Sequence, residues 1–441
     1  MDNLNKVAVF GMGKSGKAAL KLGQMKGLKV VAVNKGHPDT WYEKEGLQEI
    51  LTKDLCFAEE EAKEIFGEVS EIIISPGIPT SHPSLELAHE RHVPIISEIE
   101  FAYRYCKETP VIAITGTNGK TTTTTMIQEA LEKAGKKVFC GGNIGIPYCE
   151  MALSEKNYDY AVIEVSSFQL ETIKDFHPHI GLILNVFPNH SERYDNVKDY
   201  GLAKFRIAMN MNENDFMILG TENPYLDDLK TSSPKTFFTK GSLPEEFKKF
   251  FFEKAKVKGE HNEANFYAAY KVLELLNIPD LGNLFQDFIQ EFKGVAHRLE
   301  FVLSKDGLNV YNDAKSTNSL ATTTAIKAFK DSEEPFYLIL GGKLRSESDK
   351  LLPDLLPFKD SIEKVFLIGE VTERLAEELG EEFDCMKAEN LKCVFMMCKE
   401  LKLVGNLVFS PAFPSFDQFK NYVDRGEKFK QWAKESFNGD S

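Results

Sequence analysis

Long hydrophobic runs are missing from this chain of 441 residues: no apolar stretch approaches the ~20 residues a membrane-spanning helix needs. The first ten residues also lack the layout of a secretory signal, so the expectation is a cytoplasmic protein with no membrane partner. A basic excess is missing too. Lys and Arg number 53 against 67 Asp and Glu, a net charge of −14 without a basic tract, which argues against nucleic acid as a partner. Paired cysteines are absent as a pattern: there are seven, with no Cys-x-x-Cys, which fits reduced thiols and gives no sign of zinc. Cys393 and Cys398 fall in a helical stretch and are expected to pack rather than ligate. The length suggests about three domains. Small anionic ligands would have to be held by local sites.

The most informative stretch is Val111 to Thr125, VIAITGTNGKTTTTT. Val111–Ile114 is short and β-branched enough to be a buried strand, and Thr124–Ala134 has helical spacing. Strand, glycine loop and helix in that order make a phosphate-binding arrangement. Gly116 and Gly119 let backbone N–H groups approach a polyphosphate, Lys120 adds a point charge, Thr121 offers a hydroxyl to Mg²⁺, and the helix N-terminus adds its dipole. The strict P-loop has a further glycine where this chain has Ile114, so this is a shortened variant; a plain strand-to-helix turn is the bland alternative.

Lys6–Phe10 reads as a strand running into Gly11-Met12-Gly13-Lys14-Ser15-Gly16, with a helix over Lys17–Lys26. This is a GxGxxG in its proper context, which predicts a Rossmann-like first domain. An NAD site needs an acid at the end of the next strand, and Val30–Val33 ends in Asn34 instead. A nucleotide-like ligand other than NAD, or a purely structural tight turn, both remain. Further strands are expected at Glu71–Ile74 and Val93–Ile96, with Ser75-Pro76-Gly77 at a strand's C-terminal end, then a helix over Ser97–Tyr105.

Beyond the phosphate loop, Tyr160–Ile163 leads into Glu164, and a carboxylate ending a buried strand is costly unless it meets a cation, so Glu164 is a Mg²⁺ candidate. The strand Ile180–Leu184 ends in NVFPNH, which brings His190 to the same sheet edge. Residues Thr239–Lys258 are charged and aromatic without an interpretable motif, and the expectation is a surface excursion or packing against a neighbouring domain. Later strands near Asn309–Tyr311, Phe336–Leu340, Lys364–Ile368 and Leu407–Phe409 alternate with helices and predict a second doubly wound sheet.

TGTNGKTT, GGNIG, EVSSFQLE, NVFPNH, the Ala203–Ile207 helix and SPAFPSFDQFKN, in this order, resemble the Mur ligases, the ATP-dependent amino-acid-adding enzymes of peptidoglycan precursor synthesis. SSFQLE and SPAFPSFDQFKN resemble the D-glutamate-adding branch, whose acceptor is UDP-N-acetylmuramoyl-L-alanine. The resemblance implies an α/β chain of three domains: a Rossmann-like UDP-substrate domain at 1–97, a P-loop ATPase-like parallel-sheet domain at 98–297 and a Rossmann-like amino-acid domain at 298–441. It implies ATP and two Mg²⁺ sites as cofactors, small-molecule substrates as the partners, and a monomer. ATP between the second and third domains would require closure.

By the same resemblance, ATP meets Gly116, Thr117, Asn118, Gly119, Lys120, Thr121, Thr122, Asn262, Asn265, Arg298 and Asp313. Thr121 and Glu164 hold one Mg²⁺, and Glu164 with His190 and a carbamylated Lys204 holds a second. Lys315 acts near the transferring phosphate. The UDP substrate meets Gly13, Lys14, Ser15, Asn34, Lys35, Ser75, Pro76, Gly77, Asn143, Ser166 and Gln169; D-glutamate meets Thr317, Arg345, Ser415 and Tyr422, with Lys343 an alternative to Arg345. Read without the resemblance, Lys204 is an ordinary helix lysine, Asp313 with Lys315 is a surface ion pair, and Asn262 and Ser415 are helix caps.

The family commonly has Asp before the histidine, where this chain has Asn189, an amide without the charge. Rival readings are a folylpolyglutamate synthase or another Mur ligase, an NAD-binding oxidoreductase and a non-catalytic nucleotide-binding regulator. SSFQLE and SFDQF weigh against the first two, Asn34 against the oxidoreductase, and the joint presence of Lys120, Glu164 and His190 against the regulator.

Overall fold

The computed structural model describes residues 5–190, 193–257, 259–329, 332–344 and 350–438. Three sheets organise them. The first contains β1 (Lys6–Phe10), β2 (Lys29–Asn34), β3 (Cys56–Ala58), β4 (Glu71–Ile74) and β5 (Ile95–Ser97), all parallel in the order β3-β2-β1-β4-β5. Side-chain alternation sends Val7, Val9 and Ile73 to one buried face and Ala8, Phe10, Ile72 and Ile74 to the other, as a sheet covered on both sides requires.

The second sheet contains β6 (Val111–Thr115), β7 (Val138–Gly142), β8 (Tyr160–Glu164), β9 (Ile180–Ile183), β10 (Phe216–Gly220) and β11 (Lys235–Phe238). It is also parallel, in the order β11-β10-β9-β6-β8-β7. The first strand of each sheet therefore lies inside it, between strands reached by crossovers on opposite sides. That is a topological switch point, where the strands' C-terminal ends leave a crevice for a ligand.

The third sheet contains β12 (Glu300–Lys305), β13 (Leu308–Asn312), β14 (Phe336–Gly341), β15 (Lys364–Ile368), β16 (Cys385–Lys387) and β17 (Gly405–Ala412), in the order β12-β13-β17-β14-β15-β16. Only the β12–β13 hairpin is antiparallel among these pairs. The α/β class and the doubly wound first and last sheets agree with expectation.

The chain packs as two compact units, one of 1–244 with 263–285 and one of 245–262 with 286–441. In the first unit, a single core runs from Val7 and Leu20 through Ile99, Phe101 and Tyr103 to Tyr148, Ile163 and Ile183, so the first two sheets share their interior. The short helix Glu98–Tyr103 has all six residues buried, and Glu100 accepts the N–H groups of Lys174, Asp175 and Phe176. In the second unit, both faces of the third sheet carry their own apolar clusters.

Several element bounds differ from the sequence reading. The helix after the phosphate loop begins at Lys120 rather than Thr124. Five consecutive threonines are poor helix formers, but Thr123 and Thr124 are buried and Thr125 Oγ1 donates back to the Thr121 carbonyl at 2.9 Å, so tertiary burial carries the first turns. The fifth strand starts at Ile95, not Val93, and Ser97 ends it as the cap of the following helix by accepting the Glu100 N–H. The segment Thr239–Lys258 contains a helix, Glu245–Lys254, that buries Phe247 and Phe251. Cys398 is buried on the helix Leu391–Glu400 and Cys393 packs beside the same core, as expected for packing thiols.

Candidate functional site

The loop leaving β6 is shaped by two glycines. Gly116 has φ +151°, and Gly119 has φ +83° as the cap of the helix Lys120–Lys133. A Cβ at Gly119 would come within 2.8 Å of Asn265 Oδ1, so that glycine is needed both for conformation and for space. Asn265 also accepts from the Thr123 hydroxyl at 3.2 Å and is 8% exposed, so this helix residue braces the loop from below. Asn185, just past β9, braces it from the side. Its Oδ1 accepts the N–H groups of Thr117 at 3.1 Å and Asn118 at 2.9 Å, and its Nδ2 donates to the Asn118 carbonyl at 3.2 Å. Those two amides are spent on Asn185, which fixes the path of the loop, while Thr122 follows in the helix's first turn.

Two lysines converge on this loop. Lys120 Nζ donates to the carbonyls of Gly116 and Thr117, each at 2.9 Å, and Lys204 Nζ reaches the same Gly116 carbonyl at 2.9 Å. Lys204 is 1% exposed and sits over the Tyr200 ring at 4.3 Å. Burial first, and the Lys120 charge second, hold its amine well below the usual lysine range, against a smaller opposing pull from Glu164. The solvated-face alternative for Lys204 is therefore excluded.

Glu164 ends β8 beside Ile114 of β6 and is 2% exposed. Its Oε2 accepts from the Thr121 hydroxyl and its Oε1 from Asn143 Nδ2, both at 2.9 Å. Asn143 reaches it because Gly142, at φ +96°, turns the chain sharply after β7. His190 has φ +56°, and its ring lies 4.8 Å from Phe168 and 5.7 Å from Tyr200. Thus Lys120, Thr121, Glu164, His190 and Lys204, far apart in sequence, gather at the C-terminal edge of the second sheet. Tyr200, 1% exposed, touches both His190 and Lys204; sequence reasoning missed it, although its spacing of four from Lys204 on the helix Val197–Phe205 was a usable signal. Asn185 was missed for want of any charge.

Ser166 and Gln169 form a capping box for the helix Ser167–Leu170: the Gln169 N–H donates to Ser166 Oγ, and Gln169 Oε1 accepts from the Ser166 N–H at 3.0 Å. Gln169 Nε2 is buried without a partner among the described residues. In the first sheet, Gly13, Lys14 and Ser15 and the loop Ser75–Gly77 flank the switch point between β1 and β4. Ser75 Oγ donates to the Gly11 carbonyl at 2.9 Å, and Asn34 Oδ1 accepts the Met12 N–H at 3.4 Å. Gly13, Lys14, Lys35 and Gly77 are exposed there.

In the second unit, Asp313 is 3% exposed, accepting the Leu299 N–H at 3.1 Å and the hydroxyls of Ser316 at 2.5 Å and Ser410 at 2.7 Å. Burial pushes its carboxyl up to about 6. This excludes the surface-pair alternative and fixes Asp313 as an organiser of its own loop. Lys315 is exposed and Thr317 partly so. Arg298 is exposed beyond His297, whose ring stands 3.0 Å from Asn312 Nδ2. Ser415 is 2% exposed, and Tyr422 opens the helix Tyr422–Asn438, so Ser415 lies too far upstream to cap it. Asn262 lies inside the helix Glu260–Leu275, three residues before Asn265, and does not cap it. Lys343 is exposed; Arg345 lies outside the described residues.

The chain matches two family profiles: Mur ligase MurD-like, N-terminal domain, over residues 5–97, and Mur ligase middle domain, over 114–284. It is similar to curated proteins named UDP-N-acetylmuramoylalanine--D-glutamate ligase. One, from Caldicellulosiruptor saccharolyticus, is 35% identical over 98% of both chains. Another, from Aquifex aeolicus, is 35% identical over 97% of this chain and 98% of that one. Among solved structures it resembles UDP-N-acetylmuramate-alanine ligase MurC from Thermotoga maritima, with TM-score 0.53, 19% identity and 98% and 99% of the two chains covered. It also resembles MurF ligase from Thermotoga maritima in complex with ADP, with TM-score 0.54, 16% identity and full coverage of both chains. These likenesses concern the fold.

Proposed function

The chain belongs to the Mur ligase family, and from that premise we propose that it joins D-glutamate to the carboxylate of UDP-N-acetylmuramoyl-L-alanine at the expense of ATP, forming ADP and phosphate. The observation that carries the reading is the buried Glu164 held against Thr121 of the phosphate loop with Lys204 beside it. The acceptor and amino acid follow the names of relatives that match nearly end to end.

In this reading the acceptor carboxylate attacks the γ-phosphorus of ATP, the bond to the β-phosphate oxygen breaks, and an acyl phosphate forms. The D-glutamate amine then attacks the acyl carbon, loses a proton and expels phosphate. Two anions meet in the first step, so fixed donors and cations supply most of the rate. The amides from Gly119 to Thr122 and the Lys120 side chain bind the β- and γ-phosphates, with Thr117 and Asn118 shaping the loop, and Asn265 with Asn262 serves the nucleoside end.

Among the described residues no group of three His, Cys, Asp or Glu converges as a metal site. Hard oxygen donors are nevertheless present in the Thr121 hydroxyl and Glu164 carboxylate, and these suit Mg²⁺. Two ions bound by Thr121, Glu164, His190 and Lys204 would neutralise the phosphate charge. For this, the Lys204 amine, whose protonated form burial disfavours, would add to CO₂ and shed a proton to become a carbamate.

In the second unit, Arg298 and Lys315 serve the transferring phosphate, Asp313 orders the loop that carries Lys315 and Thr317, and Thr317, Arg345, Ser415 and Tyr422 receive D-glutamate. Gly13, Lys14, Ser15, Asn34, Lys35 and Ser75–Gly77 hold the uridine nucleotide, with Asn143, Ser166 and Gln169 along its sugar. The reading takes domains 1–97, 98–297 and 298–441, one around each sheet, in a monomeric cytoplasmic enzyme. No helix among the described residues is long and apolar enough to cross a membrane.

The test is phosphate release from ATP with UDP-N-acetylmuramoyl-L-alanine, comparing D-glutamate, L-glutamate, glycine and no amino acid. Release that requires both the precursor and D-glutamate is expected. Release with another amino acid would move the chain to another branch, and none at all despite ATP binding would overturn the ligase reading.

A further inference from the structure

The side chains around His190 include an acid for which the mechanism above has no use. Glu171 follows the helix Ser167–Leu170, and its side chain is 19% exposed. It accepts from Arg193 Nε at 3.2 Å and from Arg193 Nη2, and Tyr194 Oη donates to its Oε1 at 2.5 Å. The Arg193 side chain is 13% exposed, and its guanidinium lies over the Phe168 ring at 4.6 Å. Tyr194 stacks on Phe168 at 5.9 Å and packs against Tyr200 at 5.3 Å. The same two rings, Phe168 and Tyr200, flank His190.

The backbone makes the acid matter. The N–H groups of Arg193 and Tyr194 both donate to the His190 carbonyl, at 3.0 and 3.1 Å, so the pair that Glu171 holds is tied directly to the histidine. At φ +56° that histidine is in the left-handed region, where Cβ crowds the backbone, and such a conformation persists only when its surroundings over-determine it. A forked Arg–carboxylate pair fixes direction as well as distance, and at this burial solvent screens it little.

We propose that Glu171 is a positioning residue: by clasping Arg193 and Tyr194, which pack on Phe168 and Tyr200, it holds the His190 imidazole between those two rings, on the Lys204 side of the site. The inference rests on the reading of His190 as functional. Tyr194 suits the clasp because burial, reinforced by Glu171, raises its hydroxyl and keeps it a donor.

The test uses the full chain with histidine isotope labelling, the His190 resonance being assigned by its loss in His190→Ala. Glu171→Gln is expected to lower kcat by roughly 10–100-fold while KM for ATP stays within about twofold. It should also move the His190 Cε1–H resonance as the ring leaves its two aromatic neighbours. Tyr194→Phe, which removes a single hydrogen bond, should act in the same direction by only about two- to fivefold. The swapped pair Glu171→Arg with Arg193→Glu should recover at least about tenfold over either single variant.

Turnover within twofold of wild type in Glu171→Gln, while His190→Ala is inactive, would overturn the clasp. So would a loss that tracks a lowered Tm with the His190 resonance unmoved, since that describes a structural staple only. If His190→Ala keeps full turnover, the functional reading of His190 falls instead, and the resonance shift alone decides whether Glu171 aims the ring.

Discussion

Two glycine loops occupy the same place in two sheets: Gly11–Gly16 after β1 and Gly116–Lys120 after β6, each on the first strand, inside a parallel sheet and ahead of a helix. Both use positive φ near their start, at Gly11 and Gly116. Their surroundings differ. The first loop meets Ser75 and the Asn34 amide, and its Lys14 is exposed. The second has Asn185 on its amides, Lys120 folded onto its carbonyls, and Glu164 and Lys204 buried at its side. A glycine loop supplies backbone donors, which suffice to hold a phosphate. Phosphoryl transfer also needs charges fixed in a dry site, and those come from a neighbouring strand end, at Glu164, and from two helices, at Lys120 and Lys204.

If that contrast holds, substitutions in the second loop's surroundings break chemistry and those in the first alter binding. Glu164→Ala and Lys120→Ala should each cut ATP-dependent phosphate release by roughly 10³-fold or more, measured in the coupled assay, whereas Lys14→Ala should change kcat less than about tenfold and act mainly on KM for the uridine substrate. Equal losses in both loops would erase the distinction.

Lys204→Ala should lower turnover by roughly 10²-fold, with partial recovery on adding a short carboxylic acid, and intact-mass analysis in bicarbonate should find wild type heavier by one carbamate. The same variant should be more stable than wild type at neutral pH, by urea unfolding. A lysine with a depressed folded pKa binds its proton better when unfolded, so its destabilising contribution is full below the folded pKa and fades as pH rises towards 10.5.

Within the first loop, the glycines separate by space. A Cβ at Gly16 would lie 1.9 Å from the Gly11 carbonyl oxygen, while one at Gly13 meets nothing within 4 Å. Gly16→Ala should therefore cost about 2–3 kcal/mol in unfolding free energy, and Gly13→Ala less than about 0.5 kcal/mol.

A further effect, on stability alone, concerns the core shared by the two sheets. Glu98 is 1% exposed, its Oε1 accepts the Cys149 N–H at 2.5 Å, and burial pushes its carboxyl up to about 7. A raised folded pKa means the stabilising contribution is complete below about 4.5 and is lost as pH climbs through about 7. Glu98→Gln, neutral at every pH, should gain on wild type by about 1–3 kcal/mol between pH 5 and pH 8, read from urea midpoints at each pH. A constant difference across that range would remove Glu98 as the titrating group.

Much of this was legible in sequence. Lys6–Phe10, Glu71–Ile74 and Lys364–Ile368 are strands at the expected residues, because short β-branched runs bounded by glycine or charge have few other uses. Short edge strands such as Cys56–Ala58 and Cys385–Lys387 escaped, since three residues carry no period. At the site, Lys120, Thr121, Glu164 and His190 stood out because they are charged or hydroxylated groups directly after apolar strands. Tyr200, Asn185 and Glu171 touch partners up to 68 residues away or on another element, and no local pattern encodes that.

By itself, then, the order of residues determined that strands alternate with helices, that a phosphate-binding turn follows Ile114, and that acids and a histidine end neighbouring strands, because these depend on periodicity and on chain geometry over a few residues. Only the tertiary structure decided that Lys204 is a buried amine rather than a solvated one, that Asp313 spends its carboxylate on its own loop, and that Glu171 grips the turn of His190. Burial and pairing are properties of what the rest of the chain packs around a group, and the dielectric and partners they set decide the state in which it works.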